Sequence, residues 1–123
     1  MKTILVVDDD SRMLKLLNMY LAPVYTVCSA KGGSIAIEFL KNHKPDLIIL
    51  DYKMPGLDGP ATFDMIKSMD GCDKIPVIFL TGVTNKHLIK ECMDKKPAGY
   101  LVKPVAREEL LAKAGEILEK FID

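Results

Sequence analysis

Short apolar runs rich in β-branched residues recur along the chain. They are Thr3-Ile4-Leu5-Val6-Val7, Tyr25-Thr26-Val27-Cys28, Leu47-Ile48-Ile49-Leu50, Pro76-Val77-Ile78-Phe79-Leu80 and Gly99-Tyr100-Leu101-Val102. Most lack polar alternation, the pattern of strands covered on both faces. Between them the apolar positions follow helical spacing. Met13, Leu14, Leu17, Tyr20 and Leu21 form one stripe, with Ser11 as the predicted N-cap, and Leu110, Leu111, Ala114, Ile117, Leu118 and Phe121 form another. Weaker helical patterns begin after Gly33, after Pro60 and after Thr84, and Pro60 suits a first helical turn.

The predicted order is βαβαβαβαβα, which implies an α/β fold: a parallel sheet with helices on both faces and right-handed crossovers. No repeat, linker or low-complexity tract divides the 123 residues, so residues 1–123 are expected to form a single domain with five strands and five helices. The predicted topology is the doubly wound, flavodoxin-like strand order 2-1-3-4-5, whose switch point falls between the first and third strands.

The polar residues that end these runs carry the chemistry. Asp8, Asp9 and Asp10 follow the first run, Asp51 the third, Thr81 the fourth, and Lys103 with Pro104 the fifth. In a parallel sheet all carboxyl ends share one edge, and ligands bind in the crevice there. An aspartate after one strand is usually a cap or a turn residue; four strand ends converging on one chemistry are harder to dismiss. Clustered carboxylates repel, and a hard cation with oxygen ligands, Mg²⁺ above all, relieves the repulsion. A carboxylate such as Asp51 is also a nucleophile toward phosphorus. Phosphoryl transfer then asks mainly for positioning and charge neutralisation, within reach of Lys103, Thr81 and a cation. Asp10 has two readings, as a member of the acidic group or as a charge favouring the helix that Ser11 would cap.

Composition narrows the alternatives. Seventeen basic residues balance seventeen acidic ones, so bulk charge recruits neither nucleic acid nor a membrane. Cys28, Cys72 and Cys92 have no CxxC spacing and are read as reduced thiols, and His43 and His87 stand apart from them, which disfavours zinc. No run approaches the roughly 20 apolar residues of a spanning helix, and no secretory pattern opens the chain; a cytoplasmic location is expected.

Together these segments resemble the receiver domain of two-component response regulators. The resemblance covers essentially the whole chain and rests on Leu5-Val6-Val7-Asp8-Asp9, Leu50-Asp51-Tyr52-Lys53-Met54-Pro55-Gly56-Leu57-Asp58-Gly59, Phe79-Leu80-Thr81-Gly82 and Gly99-Tyr100-Leu101-Val102-Lys103-Pro104, in that order. It implies that Asp51 accepts a phosphoryl group. Asp9, Asp51 and the Lys53 backbone carbonyl would ligate Mg²⁺, and Asp8 would act through water. Lys103 would pair with a phosphoryl or carboxylate oxygen, and Thr81 would move toward the phosphoryl group. Lys103–Pro104 is a candidate cis peptide. Tyr100 matches an aromatic position that turns inward on switching; its other reading is a half-buried strand tyrosine. The resemblance further implies a sensor histidine kinase or phosphotransfer protein as donor, and a downstream protein or fused output domain as target. The domain itself would bind neither nucleic acid nor membrane, as a monomer or a phosphorylation-promoted dimer, either stand-alone like the chemotaxis regulators or as part of a longer regulator. Lys53 either lies over the phosphoryl group or is a solvated surface residue. Lys86, Lys90, Lys95 and Lys96 either make the fourth helix a basic partner face or an ordinary solvated one.

Three other functions compete. A haloacid-dehalogenase-type phosphohydrolase would use Asp8 within the Asp8-Asp9-Asp10 triplet, but needs a late acidic pair where Lys103-Pro104 stands, and leaves Asp51 unexplained. A flavodoxin-like cofactor site would have three aspartates facing an anion. An interaction module that is never phosphorylated would have no use for the full acidic, Thr and Lys set.

Overall fold

In a computed structural model, which describes residues 1–82 and 84–120, the strands are β1 (Thr3–Val7), β2 (Thr26–Ala30), β3 (Leu47–Leu50), β4 (Val77–Thr81) and β5 (Gly99–Val102). Between and after them run α1 (Ser11–Leu21), α2 (Gly33–Leu40), α3 (Gly59–Ser68), α4 (Lys86–Asp94) and α5 (Arg107–Lys120). The strands form one parallel sheet in the order β2-β1-β3-β4-β5. Phe121, the last position of the predicted α5 stripe, lies outside the described residues.

Because successive strand residues face opposite sides, each inner strand divides its apolar residues between two cores. Ile4, Val6, Leu47, Ile49, Ile78 and Leu80 pack with α1 and α5. Leu5, Val7, Ile48, Leu50, Val77 and Phe79 pack with α2, α3 and Cys92 of α4. β1, β3 and β4 are almost wholly buried, so the carboxyl ends of these strands are held by packing on both faces.

Several boundaries differ from the sequence reading; β4 begins at Val77 and includes Thr81 as its last residue, one position later than the Pro76–Leu80 run. β2 runs from Thr26 rather than Tyr25 and continues through Ser29 and Ala30, because it pairs with β1 along its full length, Thr3 opposite Thr26 and Val7 opposite Ala30. Tyr25 instead closes the turn after α1, its N–H donating to Leu21 O at 2.8 Å. Ser11 is not the cap of α1: Asp10 is, its Oδ1 accepting from Arg12 N at 2.9 Å. The two-way reading of Asp10 thus resolves to a capping role.

Of the two readings of the lysines around α4, the contacts support the ordinary solvated surface. Within α4, Lys86 and Lys90 are offset by Glu91 and Asp94, and Lys90 pairs with Asp94 at 3.0 Å. Lys95, just beyond the helix, pairs with Asp64 at 2.9 Å. Lys96 follows with φ 55°, a left-handed turn residue leading through Pro97 into β5.

α3 presses its first residue onto the end of β3. Asp58 caps it, accepting from Ala61 N at 2.9 Å, and Gly59 N donates to Tyr52 O at 2.7 Å. A Cβ at Gly59 would run into the Asp51 carbonyl oxygen and come within 2.7 Å of Tyr52 Cα. Backbone on both sides leaves nothing flexible to yield, so Gly59→Ala is expected to cost about 1–3 kcal/mol of stability, the range for overpacking. Urea unfolding measures this, and an unchanged midpoint would refute the constraint.

Candidate functional site

The strand ends bring Asp8, Asp51, Thr81 and Lys103 together, with Asp9 beside them. Backbone bonds set the spacing: Asp51 N donates to Val7 O at 3.0 Å, and Lys103 N donates to Thr81 O at 3.0 Å. Asp8, Asp51 and Thr81 are buried, while Asp9 is exposed. One carboxylate oxygen from each of Asp8, Asp9 and Asp51 lies within 4.8 Å of the others. Asp10, facing its helix, is not in this group.

Lys103 is the counter-charge. Its Nζ donates to Asp8 Oδ2 at 2.6 Å and lies 3.4 Å from Asp51 Oδ2. Burial works against the ammonium, but the Asp8 hydrogen bond and the charges of both carboxylates outweigh it and hold its pKa above the ordinary lysine value. Asp51 goes the other way. Burial, and next the Asp8 charge, raise its pKa, against the opposing pull of Lys103 and a hydrogen bond from the Thr81 hydroxyl. The Lys103–Pro104 peptide is cis.

The residual repulsion on Asp51 and the all-oxygen donor set fit a hard divalent cation. Lys53 is exposed and lines a shallow pocket with Asp9, Tyr52, Met54, Pro55 and Asp58. Tyr100 pairs with Phe79 across β4 and β5 and packs half-buried against the core that contains Cys92.

A profile of the response regulator receiver domain matches residues 4–115. The chain belongs to this family. The receiver is 35% identical over 118 residues to the response regulator MprA of Mycobacterium sp. strain KMS, covering 95% of the chain and 50% of that protein. Its fold matches the chemotaxis protein CheY4 of Vibrio cholerae with a TM-score of 0.88 at 26% identity, covering 95% of the chain and 98% of CheY4. It also matches the receiver domain of a Syntrophus aciditrophicus histidine kinase, with a TM-score of 0.91 at 27% identity, covering 98% and 92%. The receiver spans 24%, 7% and 50% of three curated relatives, so it corresponds to one part of each.

Two contacts of this receiver were not legible as site features. Tyr52 N donates to Asp51 Oδ1 at 2.9 Å, and the Tyr52 hydroxyl donates to Glu91 Oε1 at 2.6 Å, tying the residue after Asp51 to α4. The partners are 39 positions apart and belong to different elements, so no local spacing announces them.

The raised pKa of Asp51 has a consequence for stability. The folded receiver binds this proton more tightly than the unfolded chain, so the ionised carboxylate destabilises the fold above its folded pKa. In metal-free buffer near pH 7, Asp51→Asn is expected to raise the urea midpoint. The gain should shrink as the pH falls through the folded pKa and vanish below the ordinary carboxylate value. A midpoint unchanged or lowered at pH 7 would show that the Lys103 and Thr81 contacts outweigh burial.

Proposed function

We propose that this receiver is the phospho-acceptor of a two-component system, in which Asp51 is phosphorylated and the α4–β5–α5 face changes conformation to control a partner. The observation that carries this reading is the meeting of Asp51 with Asp8, Asp9, Thr81 and Lys103 at one sheet edge. A carboxylate oxygen of Asp51 attacks the donor phosphorus. The new O–P bond forms as the bond to the leaving group breaks, and the leaving group departs with that electron pair. Asp9, Asp51 and the Lys53 carbonyl would hold Mg²⁺, with Asp8 acting through water. When bound, the ion neutralises the carboxylates and the equatorial phosphoryl oxygens. The Lys103 ammonium orients the acceptor and balances the added charge. Release of the phosphoryl group to water returns the free carboxylate, so the receiver is a switch that assists its own phosphoryl transfer rather than an enzyme acting on a separate substrate.

The Thr81 hydroxyl already donates to Asp51 and would follow the negative charge onto the phosphoryl group, with Tyr100 moving inward behind it. A complete inversion of a two-state population takes about 5.5 kcal/mol. Because Thr81 and Lys103 already touch Asp51, only the strengthening of these contacts counts toward that difference, which leaves both states populated. The phosphodonor would be a sensor histidine kinase or a phosphotransfer protein, and the target a downstream protein or an attached output domain. The part-length match to MprA is compatible with the second form and the near full-length match to CheY4 with the first. A reducing compartment, the cytoplasm, suits the free thiols of Cys28, Cys72 and Cys92. No helix among the described residues is long and apolar enough to cross a membrane.

Lys53 is exposed and shares a shallow pocket with Asp9, which supports a role in hindering the hydrolytic water. Lys53→Asn is expected to shorten the lifetime of the aspartyl phosphate severalfold; an unchanged decay rate rejects this role for Lys53. The function itself is tested by incubation with Mg²⁺ and acetyl phosphate. A mass gain of one phosphoryl group in the wild type, lost in Asp51→Ala and on removing Mg²⁺ with a chelator, is the expected result. A wild type that stays unmodified beside a control receiver that is modified would overturn the reading.

A further inference from the structure

Tyr52 is held at three points. Its N–H donates to Asp51 Oδ1 at 2.9 Å, its carbonyl accepts from Gly59 N at 2.7 Å, and its hydroxyl donates to Glu91 Oε1 at 2.6 Å. The first two fix it to the acceptor and to the start of α3. The third reaches the middle of α4.

α4 is the helix on which such a contact weighs most. Its single fully buried side chain is Cys92, with Leu88 and Ile89 only partly covered. α1, α2 and α3 each bury at least three side chains. Tyr52 is itself buried, and the Glu91 carboxylate keeps the phenol protonated and donating, well above the ordinary tyrosine range. The bond is therefore a persistent, charge-assisted tether on a lightly packed element.

We infer that the Tyr52–Glu91 hydrogen bond is a brake that holds α4 in its present position, and that Tyr52 is a positioning residue coupling the state of Asp51 to that helix. The inference rests on the receiver function proposed above and names a second route from the acceptor to α4, besides Thr81. In the present arrangement Lys103 lies nearer to Asp8 than to Asp51. Whatever moves α4 away from Tyr52 must break this bond. Removing the bond beforehand lowers the cost of the move, and by linkage it tightens binding of any ligand at Asp51 that favours the moved state.

The test uses Tyr52→Phe, which deletes one oxygen and keeps the ring in the core, and Glu91→Leu, which removes the other partner. Binding of Mg²⁺ with beryllofluoride, a phosphoryl mimic, is titrated for each, and hydrogen exchange of α4 amides is followed without it. Tyr52→Phe is expected to bind the mimic roughly tenfold more tightly, the factor equivalent to about 1.5 kcal/mol, the lower end for a hydrogen bond to a charged group. Its α4 amides should exchange faster, and a merely structural role for Tyr52 would loosen α4 without tightening the mimic. Glu91→Leu should match both effects, and the double variant should add nothing further. Unchanged or weaker binding of the mimic in Tyr52→Phe overturns the brake, as do additive effects in the double variant. A wild type that fails to bind the mimic overturns the receiver reading together with the brake, whereas equal binding by wild type and variants overturns the brake alone.

Discussion

Asp8 and Asp51 are buried side by side with Asp9 close by, and an arrangement of that kind is unstable unless positive charge is delivered to it. Lys103 delivers it from the far end of the chain. Its ammonium reaches Asp8 at 2.6 Å and Asp51 at 3.4 Å, from the loop after an edge strand. That reach depends on β5 being in register with β4, so that Lys103 N closes onto Thr81 O. The sheet edge and the charge cluster therefore support each other: without the cation the carboxylates repel, and without the register the cation lies elsewhere. The neutralisation is also unequal. Asp8 takes the short bond, while Asp51 keeps a longer contact and a raised pKa. The less compensated carboxylate is the one with most to gain from a further cation or an electrophile.

How far this was readable from the sequence varied with how the information is stored. The inner strands declare themselves because burial on both faces forces unbroken apolar runs, as in Leu47–Leu50. The site residues are legible for a related reason: a parallel sheet sends every strand end to one edge, so residues dispersed from Asp8 to Lys103 can be grouped before any coordinate is known. β2 was misplaced because an edge strand needs no continuous apolar run. Its end at Ala30 is set by pairing with β1, information that lies in another segment. The cap of α1 was placed one residue late because Asp10 and Ser11 both have capping side chains, and only the backbone path chooses between them. The lysines around α4 read either as a basic face or as a solvated one until their acidic partners are located. One of those partners, Asp64, lies 31 positions away on α3.

The two sides of Asp51 differ in stiffness. Toward α3, Gly59 leaves no room even for a methyl group, Asp58 caps the helix, and the Thr62 hydroxyl donates to Asp58 O at 2.6 Å. Any displacement of the Asp51–Tyr52 backbone in that direction meets backbone atoms. Toward α4 the contacts are fewer: one buried cysteine, the partly covered Leu88 and Ile89, one hydrogen bond from Tyr52 and the Lys95–Asp64 pair at the helix end. Packed interiors deform little, and loosely packed elements move first. A change in charge and size at Asp51 therefore has a stiff neighbour on one side and a compliant one on the other. The asymmetry makes α4 the less firmly held neighbour of Asp51, and α3 the stiffer one. It arises from small side-chain choices: a glycine where α3 begins, a single buried thiol in α4, and a tyrosine, rather than a residue without a hydroxyl, immediately after Asp51.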